Sequence, residues 1–506
     1  VAGTAPRPVP PLPEGFGLIL DRSVRAYGNG TVLLGGQPGR LVALTPAGAG
    51  ALQQWLEGGG TPTVATRQLG RRLVDAGMAH PVAPPLRRAV GSGGSVVTVV
   101  VPVRDRADSL DRCLDALGDR VPVIVVDDGS ARPDRVAAVA RRHRAQLIRR
   151  PVNGGPGAAR NQALPTVDTE LVAFVDSDCE VDPGWLDALV AHFGDPALGA
   201  VAPRVRPSAP LPAPAGRPAG RPARRSVLGR YADSRSPLDM GAEPGEVGPG
   251  RTVGYLPTVA LVARRTALGT GFDERLRVGE DVDLVWRILG AGWRVRYEPS
   301  VTVHHREPAS WIGLLGRRCR YGTSAGPLAL RHPGRLAPLE LRPWPTAVAA
   351  ALVARRPEAA LALLAGSTAA MAGPLRRHGV PTSSVVGFSA RGAGWTVVGV
   401  GRAVGVLAGP VVVVGILRRW RWAATAAGLA VLPPLVDWWR RRPPLDPVRW
   451  SLASMADDAA YGVGVWRGCF AARSFGPLVP SVRIGRIGRI GRSGPAGARS
   501  AAAPEV

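Results

Sequence analysis

The sequence predicts an α/β fold: a mainly parallel sheet with helices on both faces, a small N-terminal winged-helix-like α+β module, and a C-terminal helical, apolar region. Three observations predict it. Between residues 95 and 175, apolar runs of strand length alternate with helical stretches, the pattern of a sheet buried on both faces. Ahead of this lie short strand-like runs and two helical segments with marked starts and stops. Beyond Arg331 the chain turns helical and apolar, and Val397–Leu417 holds 21 residues with one charge, Arg402, enough to cross a bilayer.

Taken in order, residues 1–13 are Pro-rich and expected to be disordered. Residues 14–90 read as a small module. The strand-like runs Gly17–Leu20 and Thr31–Leu34 precede a helix that starts with Thr45 as N-cap and Pro46 in its first turn. A second helix covers Thr66–Ala76 and stops at Gly77. The unit is either a binding module or a structural appendage. From Gly94 the alternation begins: Ser95–Val103, a helix near Leu110–Leu117, Val121–Val126, a helix near Pro133–His143, Gln146–Arg149, a Gly-rich turn with a helix to Leu164, and Leu171–Val175. This part is taken as residues 94–330, with 203–225 a flexible Pro/Arg/Ala-rich insertion. Residues 331–480 are expected to be helical and membrane-associated. Ala359–Gly373 and Ala423–Val436 suit core helices or segments lying in the interface plane. Residues 481–506, with three Ile-Gly-Arg repeats, read as a basic disordered tail drawn to anionic lipid, or as low-complexity drift.

Composition narrows the chemistry. All 64 basic residues are Arg, which excludes a Schiff-base lysine and the lysine of a P-loop. The net charge of +26 is spread along the chain without Cys/His fingers or aromatic-rich RNA motifs. It therefore points to anionic lipid and diphosphate substrates rather than nucleic acid. Four separated cysteines form no C-x-x-C and indicate neither zinc nor a disulfide framework, which suits a reducing compartment. No secretory signal is legible at the N-terminus. The expected location is the cell membrane, with the catalytic part facing the cytoplasm.

The chemistry collects at predicted strand ends, where open α/β sheets bind ligands. Asp176-Ser177-Asp178 follows the run Leu171–Val175. Two carboxylates so close are costly unless a cation neutralises them, and Mg²⁺ or Mn²⁺ carrying a diphosphate suits them, although Asp after a strand is often a turn former. The first strand leads into Pro102 and Arg104, and the second into Asp127-Asp128-Gly129, where an acid can accept from a nucleobase or ribose. The segment Asn153-Gly154-Gly155-Pro156-Gly157 lets backbone approach a ligand at a helix start that carries Arg160 and Asn161. Glu280-Asp281 heads an amphipathic helix, where acids either complement the helix dipole or supply a general base. His304-His305 at a strand end offers a third metal ligand, with the choice between the two open.

This order of features resembles the family 2 glycosyltransferases of the GT-A fold, Rossmann-like in architecture, over roughly residues 95–330. The motifs are P-V-R-D, V-D-D-G-S, N-G-G-P-G-A-A-R-N, F-V-D-S-D, G-F-D-E, G-E-D-V-D-L-V-W-R and His. The resemblance implies a uracil contact at Asp128, metal and diphosphate at Asp176 and Asp178, a catalytic base at Asp281 beside Glu280, and a further ligand at His304 or His305. Arg317-Arg318-Cys319-Arg320-Tyr321 is similar to the Q-x-x-R-W of processive synthases, with Arg for Gln and Tyr for Trp, so Arg317 and Arg320 join the nucleotide-sugar set. Ser236–Gly241, Val253–Thr258 and Arg317–Ser324 bring the whole chain close to the mycofactocin-system glycosyltransferases of actinobacteria. That closer resemblance implies glucose transfer from UDP-glucose to a peptide-derived small molecule, premycofactocin, as a β-1,4-linked oligoglucoside. Alternatives are a polyprenyl-phosphate or cell-wall glycan acceptor, and a non-catalytic carbohydrate- or peptide-binding scaffold.

Overall fold

The computed structural model describes residues 9–37, 39–59, 61–86, 95–208, 226–377 and 379–482. Its first unit contains β1 (Gly17–Leu20), β2 (Arg25–Tyr27), β3 (Val32–Gly35), β4 (Arg40–Ala43), α1 (Pro46–Leu56), α2 (Val64–Asp75) and β5 (Ala79–Val82). Strands β2, β3 and β4 form an antiparallel meander, and β1 pairs with β5. Thr45 caps α1 by accepting from Gly48 N–H at 3.1 Å. Thr63 caps the second helix and accepts from Thr66 N–H, which starts that helix two positions before the expected Thr66. The expectation of disorder over 1–13 needs correction at its end. Leu12 is fully buried in this unit's core and its N–H donates to Arg67 O, while residues 1–8 lie outside the described residues. Two ion pairs fasten the unit to the large central sheet: Arg71 to the buried Asp195, and Arg294 to Asp75, each at 2.7 Å.

The next strands and helices are β6 (Val97–Val103), α3 (Ala107–Leu117), β7 (Val123–Asp128), α4 (Pro133–Arg142), β8 (Gln146–Arg150), α5 (Pro156–Ala163), β9 (Leu171–Val175), β10 (Cys179–Val181), α6 (Trp185–Ala191), β11 (Leu198–Pro207), α7 (Val227–Ser234), β12 (Gly245–Glu246), β13 (Ala260–Arg264), α8 (Glu280–Gly290) and β14 (Arg294–His305). They build one nine-stranded sheet in the order β10-β14-β11-β13-β9-β6-β7-β8, with β12 on β14. Strands β8, β7, β6 and β9 run parallel, and β13 enters antiparallel beside β9. One face packs against α3, α4 and α6 through Leu110, Leu114, Val136 and Leu189. The other packs against α5 and α8 through Ala159, Leu284 and Trp286. The sheet is therefore buried on both sides, which is why its strands read as continuous Val/Leu/Ala runs. The expected insertion begins too early. Pro203–Pro207 belongs to β11, where Arg204 pairs with Asp239 and Val205 is buried; residues 209–225 lie outside the described residues.

The last region comprises α9 (Trp311–Gly322), α10 (Ala325–Arg331), β15 (Glu340–Leu341), α11 (Pro343–Val353), α12 (Pro357–Arg376), α13 (Thr382–Leu407), α14 (Gly409–Leu417), α15 (Ala423–Arg441), α16 (Pro447–Ala472) and β16 (Ser481–Val482). The apolar run Val397–Leu417 is not one straight span. Helices α13 and α14 meet at an angle of 82°. Pro410 has no N–H to give and its ring collides with the carbonyl four residues back, so the helix breaks there. Among the described residues α12 alone is a single helix long and apolar enough to cross a bilayer. Of the expected tail, Ser481 and Val482 pair with β15, and the Ile-Gly-Arg repeats lie outside the described residues.

Candidate active site

A cavity of about 1030 Å³ opens at the carboxyl ends of β6, β7 and β9. Pro102 and Arg104 enter from the end of β6, Asp128 from β7, Asn153 from the turn before α5, Arg160 from α5 itself, and Asp176 and Asp178 from beyond β9. The head of α8 brings Glu280 and Asp281; β14 brings His305, and α9 brings Arg317 and Arg320. All of these were expected from sequence, and they share one space.

Strand alternation sorts the rest. Neighbours on a strand point to opposite faces, so only one of Asp127 and Asp128 can reach the cavity. Asp128 does so, and accepts from Gly154 N–H at 2.8 Å, Gly155 N–H at 2.7 Å and Arg150 Nε at 3.0 Å. Asp127 is wholly buried instead, bonded to Ser130 N–H and paired with Arg149, so its expected ligand role is corrected to a structural one. Gly129, at φ 73°, turns the chain against Asn153, and Gly154 lends its N–H to Asp128. Gly157 faces Phe272 and Glu280, and Asn161 is held by Phe272 and Glu274. None of these four lines the cavity; each shapes the wall behind it.

The same alternation settles the histidine pair. Both residues lie within β14 rather than past its end, on opposite faces. His304 Nε2 meets Asp182 at 3.1 Å, away from the cavity, and is removed from the metal set. His305 is buried, with Nε2 3.6 Å from Asp178 Oδ1 and its Nδ1 without any hydrogen-bond partner.

Arg160 is the hub. Its guanidinium is almost fully enclosed and spans Asp176 at 2.6 Å and Glu280 at 3.3 Å. A buried cation between two carboxylates fixes the head of α8 to the end of β9. Glu280 is held in this contact. Asp281 has a different environment: burial first, then the Glu280 charge, pushes its carboxyl up to about 7. Gly279, in a left-handed conformation at φ 83°, starts the helix so that Asp281 faces the cavity. Arg317 is paired with Glu307, and both line the cavity.

The residues at the D-x-D fit a divalent cation. Asp176, Asp178 and the unsatisfied imidazole of His305 offer an oxygen-rich donor set of the kind Mg²⁺ and Mn²⁺ take. Asp176 is drawn to Arg160 and Asp178 to Arg106, so these side chains do not converge as tightly as Asp111, Asp115 and His143. That tighter group lies outside the cavity. Tyr255, Arg106, Arg318 and Tyr461 also line the cavity, and the sequence marks none of the four as a site residue. Each sits in a loop or on a helix face without a local motif, although Arg318 and Tyr255 fall inside segments quoted for their family resemblance.

Residues 98–219 match the glycosyl transferase family 2. A pre-mycofactocin glycosyltransferase of Mycobacterium tuberculosis is 35% identical over 490 residues, spanning 93% of this chain and 99% of the relative. The chain belongs to that family. Its sheet is accordingly a GT-A sheet, and the protein is a glycosyltransferase. An N-acetylglucosaminyl-diphospho-decaprenol L-rhamnosyltransferase of the same organism is 33% identical over 223 residues, covering 38% of this chain and 71% of its own. Among solved structures, the mannosyltransferase PcManGT from Pyrobaculum calidifontis, in complex with GDP-Man and Mn²⁺, is 20% identical. It covers 68% of this chain and 89% of its own, with a TM-score of 0.36.

Proposed function

We propose that this glycosyltransferase moves glucose from UDP-glucose to premycofactocin, with inversion, and builds a β-1,4-linked oligoglucoside. One observation carries the reading: Asp128, the D-x-D and Asp281 line the same cavity. The full-length likeness to a pre-mycofactocin glycosyltransferase supplies the acceptor. Pro102, Arg104, Asp128 and Asn153 receive the uridine end of the donor, with Asp128 accepting from the base. Asp176, Asp178 and His305 would hold Mg²⁺ or Mn²⁺, which when bound offsets the charge of the leaving diphosphate.

Asp281 takes the proton of the acceptor hydroxyl as that oxygen forms its bond to the anomeric carbon. The bond from that carbon to UDP breaks, and UDP leaves with the electron pair. A carboxyl raised to about 7 suits this step, being about half ionised at neutral pH yet basic enough to accept the proton. Arg160 holds Glu280 and Asp176 in register and keeps their charge from reaching Asp281 in full.

The same reading places the enzyme at the cytoplasmic face of the cell membrane. Support comes from exposed apolar side chains on the last helices, among them Leu361, Leu417, Trp439 and Leu452, with Arg418, Arg419 and Arg421 beside them. The deciding experiment is mass spectrometry of products from UDP-glucose and premycofactocin, with EDTA and with Mg²⁺ or Mn²⁺ restored. Hexose added to premycofactocin, lost with EDTA and regained with metal, is expected. Transfer only to a polyprenyl-phosphate would replace the acceptor, and turnover indifferent to EDTA would remove the metal.

A further inference from the structure

The C-terminal helix α16 forms part of the catalytic cavity. Tyr461, on α16, lines it together with Tyr255 and Tyr321. Its position follows from a close approach of the two helix backbones at facing glycines. A Cβ at Gly322 would overlap the carbonyl of Tyr461, and one at Gly464 the carbonyl of Cys319. Gly326 and Gly468 meet in the same way one turn on, so glycines four apart on each chain segment present one bare face.

Polar contacts then fix Tyr461 laterally. Arg318 Nε donates to Asp457 Oδ1 at 2.7 Å, and its guanidinium lies 5.1 Å from the centre of the Tyr461 ring. Tyr231 donates to the other Asp457 oxygen at 3.2 Å. Asp457 is buried, so this cluster is a constructed support rather than a surface pairing.

The three phenols are unspent. None of their hydroxyls bonds to another described residue, yet all three line the space that holds Asp281. Burial and the Asp281 charge both push the Tyr255 and Tyr321 phenols up, as expected for groups in one another's field. The other end of the cavity is taken by Pro102, Asp128 and Asn153 at the strand ends. Aromatic faces with free hydroxyls suit a pyranose, whose C–H face packs on a ring while its hydroxyls need partners.

We propose that Tyr461, with Tyr255 and Tyr321, forms the subsite for the saccharide end of the acceptor, and that Arg318 and Asp457 are its positioning residues. The subsite receives a terminal β-glucosyl unit. Its assignment to premycofactocin glucoside, though not the sugar binding itself, rests on the proposed function.

The test is calorimetry on the full chain saturated with UDP and Mn²⁺, with phenyl β-D-glucoside as probe. Saturable binding is expected from the wild type, and a loss of about tenfold or more from Tyr461→Leu. Tyr461→Phe, which removes one hydroxyl, should lose about threefold. Asp457→Asn should weaken the probe as well, and should add little once Tyr461→Leu is present, the non-additivity of residues acting as a unit. UDP affinity should stay within about twofold throughout, which shows that the variants are folded. Equal probe affinity in wild type and Tyr461→Leu, no saturable binding by the wild type, or a parallel fall in UDP affinity would overturn the subsite. Intact probe binding with premycofactocin refused as acceptor would instead break the functional reading and leave the subsite standing.

Discussion

The two ends of the cavity are built by opposite means. At the strand ends the polar groups arrive from β-strand termini, from the turns that follow them or from the first turns of a helix, and their direction follows from alternation or from that helix start. At the far end the wall is assembled from α9, α10 and α16, and Arg318 and Asp457 meet across 139 positions of sequence. The first wall is therefore written in short motifs. The second exists only after the helices have packed, and its determinants are glycines and an ion pair rather than a motif.

Experiments can press on this contrast. The largest effect is expected at Asp281, which lines the same cavity. Asp281→Asn should lower transfer by about 10³-fold while UDP affinity is kept, measured as product formed per enzyme and by calorimetry. The same variant should be more heat-stable than wild type at pH 8. An acid whose folded pKa, about 7, lies above its unfolded value costs stability as pH climbs through that window. Near pH 4 the two should melt alike, and a stability gain that ignores pH would contradict the raised carboxyl.

Next comes the histidine pair on β14, a contrast within a single strand. His305→Ala should weaken Mn²⁺ activation by about 10–100-fold, whereas His304→Ala should leave it within about twofold. Equal losses would mean that β14 does not sort them as described. The pH profile is the third check. With Asp281 free, kcat/KM should fall about tenfold per pH unit below 7 and level off above it. A flat profile from pH 5 to 8 would remove Asp281 as base.

The smallest effects test the far wall as structure. Gly464→Ala should cost about 1–3 kcal/mol by thermal melting, since its Cβ would meet the Cys319 carbonyl. Gly428→Ala, which faces open space in α15, should melt at or slightly above wild type.

The legibility of the site follows the same division. Apolar runs with acids at their ends announced β6, β7 and β9, and the D-x-D stood out because two adjacent carboxylates need a reason. Asp127 was misassigned, and the choice between His304 and His305 stayed open, because a doublet at a strand end shows that one member faces the ligand without showing which. That choice depends on the pleat, which is set by pairing partners far away in sequence. The break between α13 and α14 was readable in principle, since Pro410 lies inside the apolar run, but hydrophobicity alone hides it. Arg160 was legible as a residue at a ligand-binding helix start, and its bridge to Glu280 was not, because 120 positions separate them.

The bare seam between α9 and α16 has one more consequence. Where glycines bring two helix backbones into touch, the helices cannot slide or part by small rotamer changes, because at those points there are no side chains to rearrange. That edge of the cavity behaves as a weld and not a hinge.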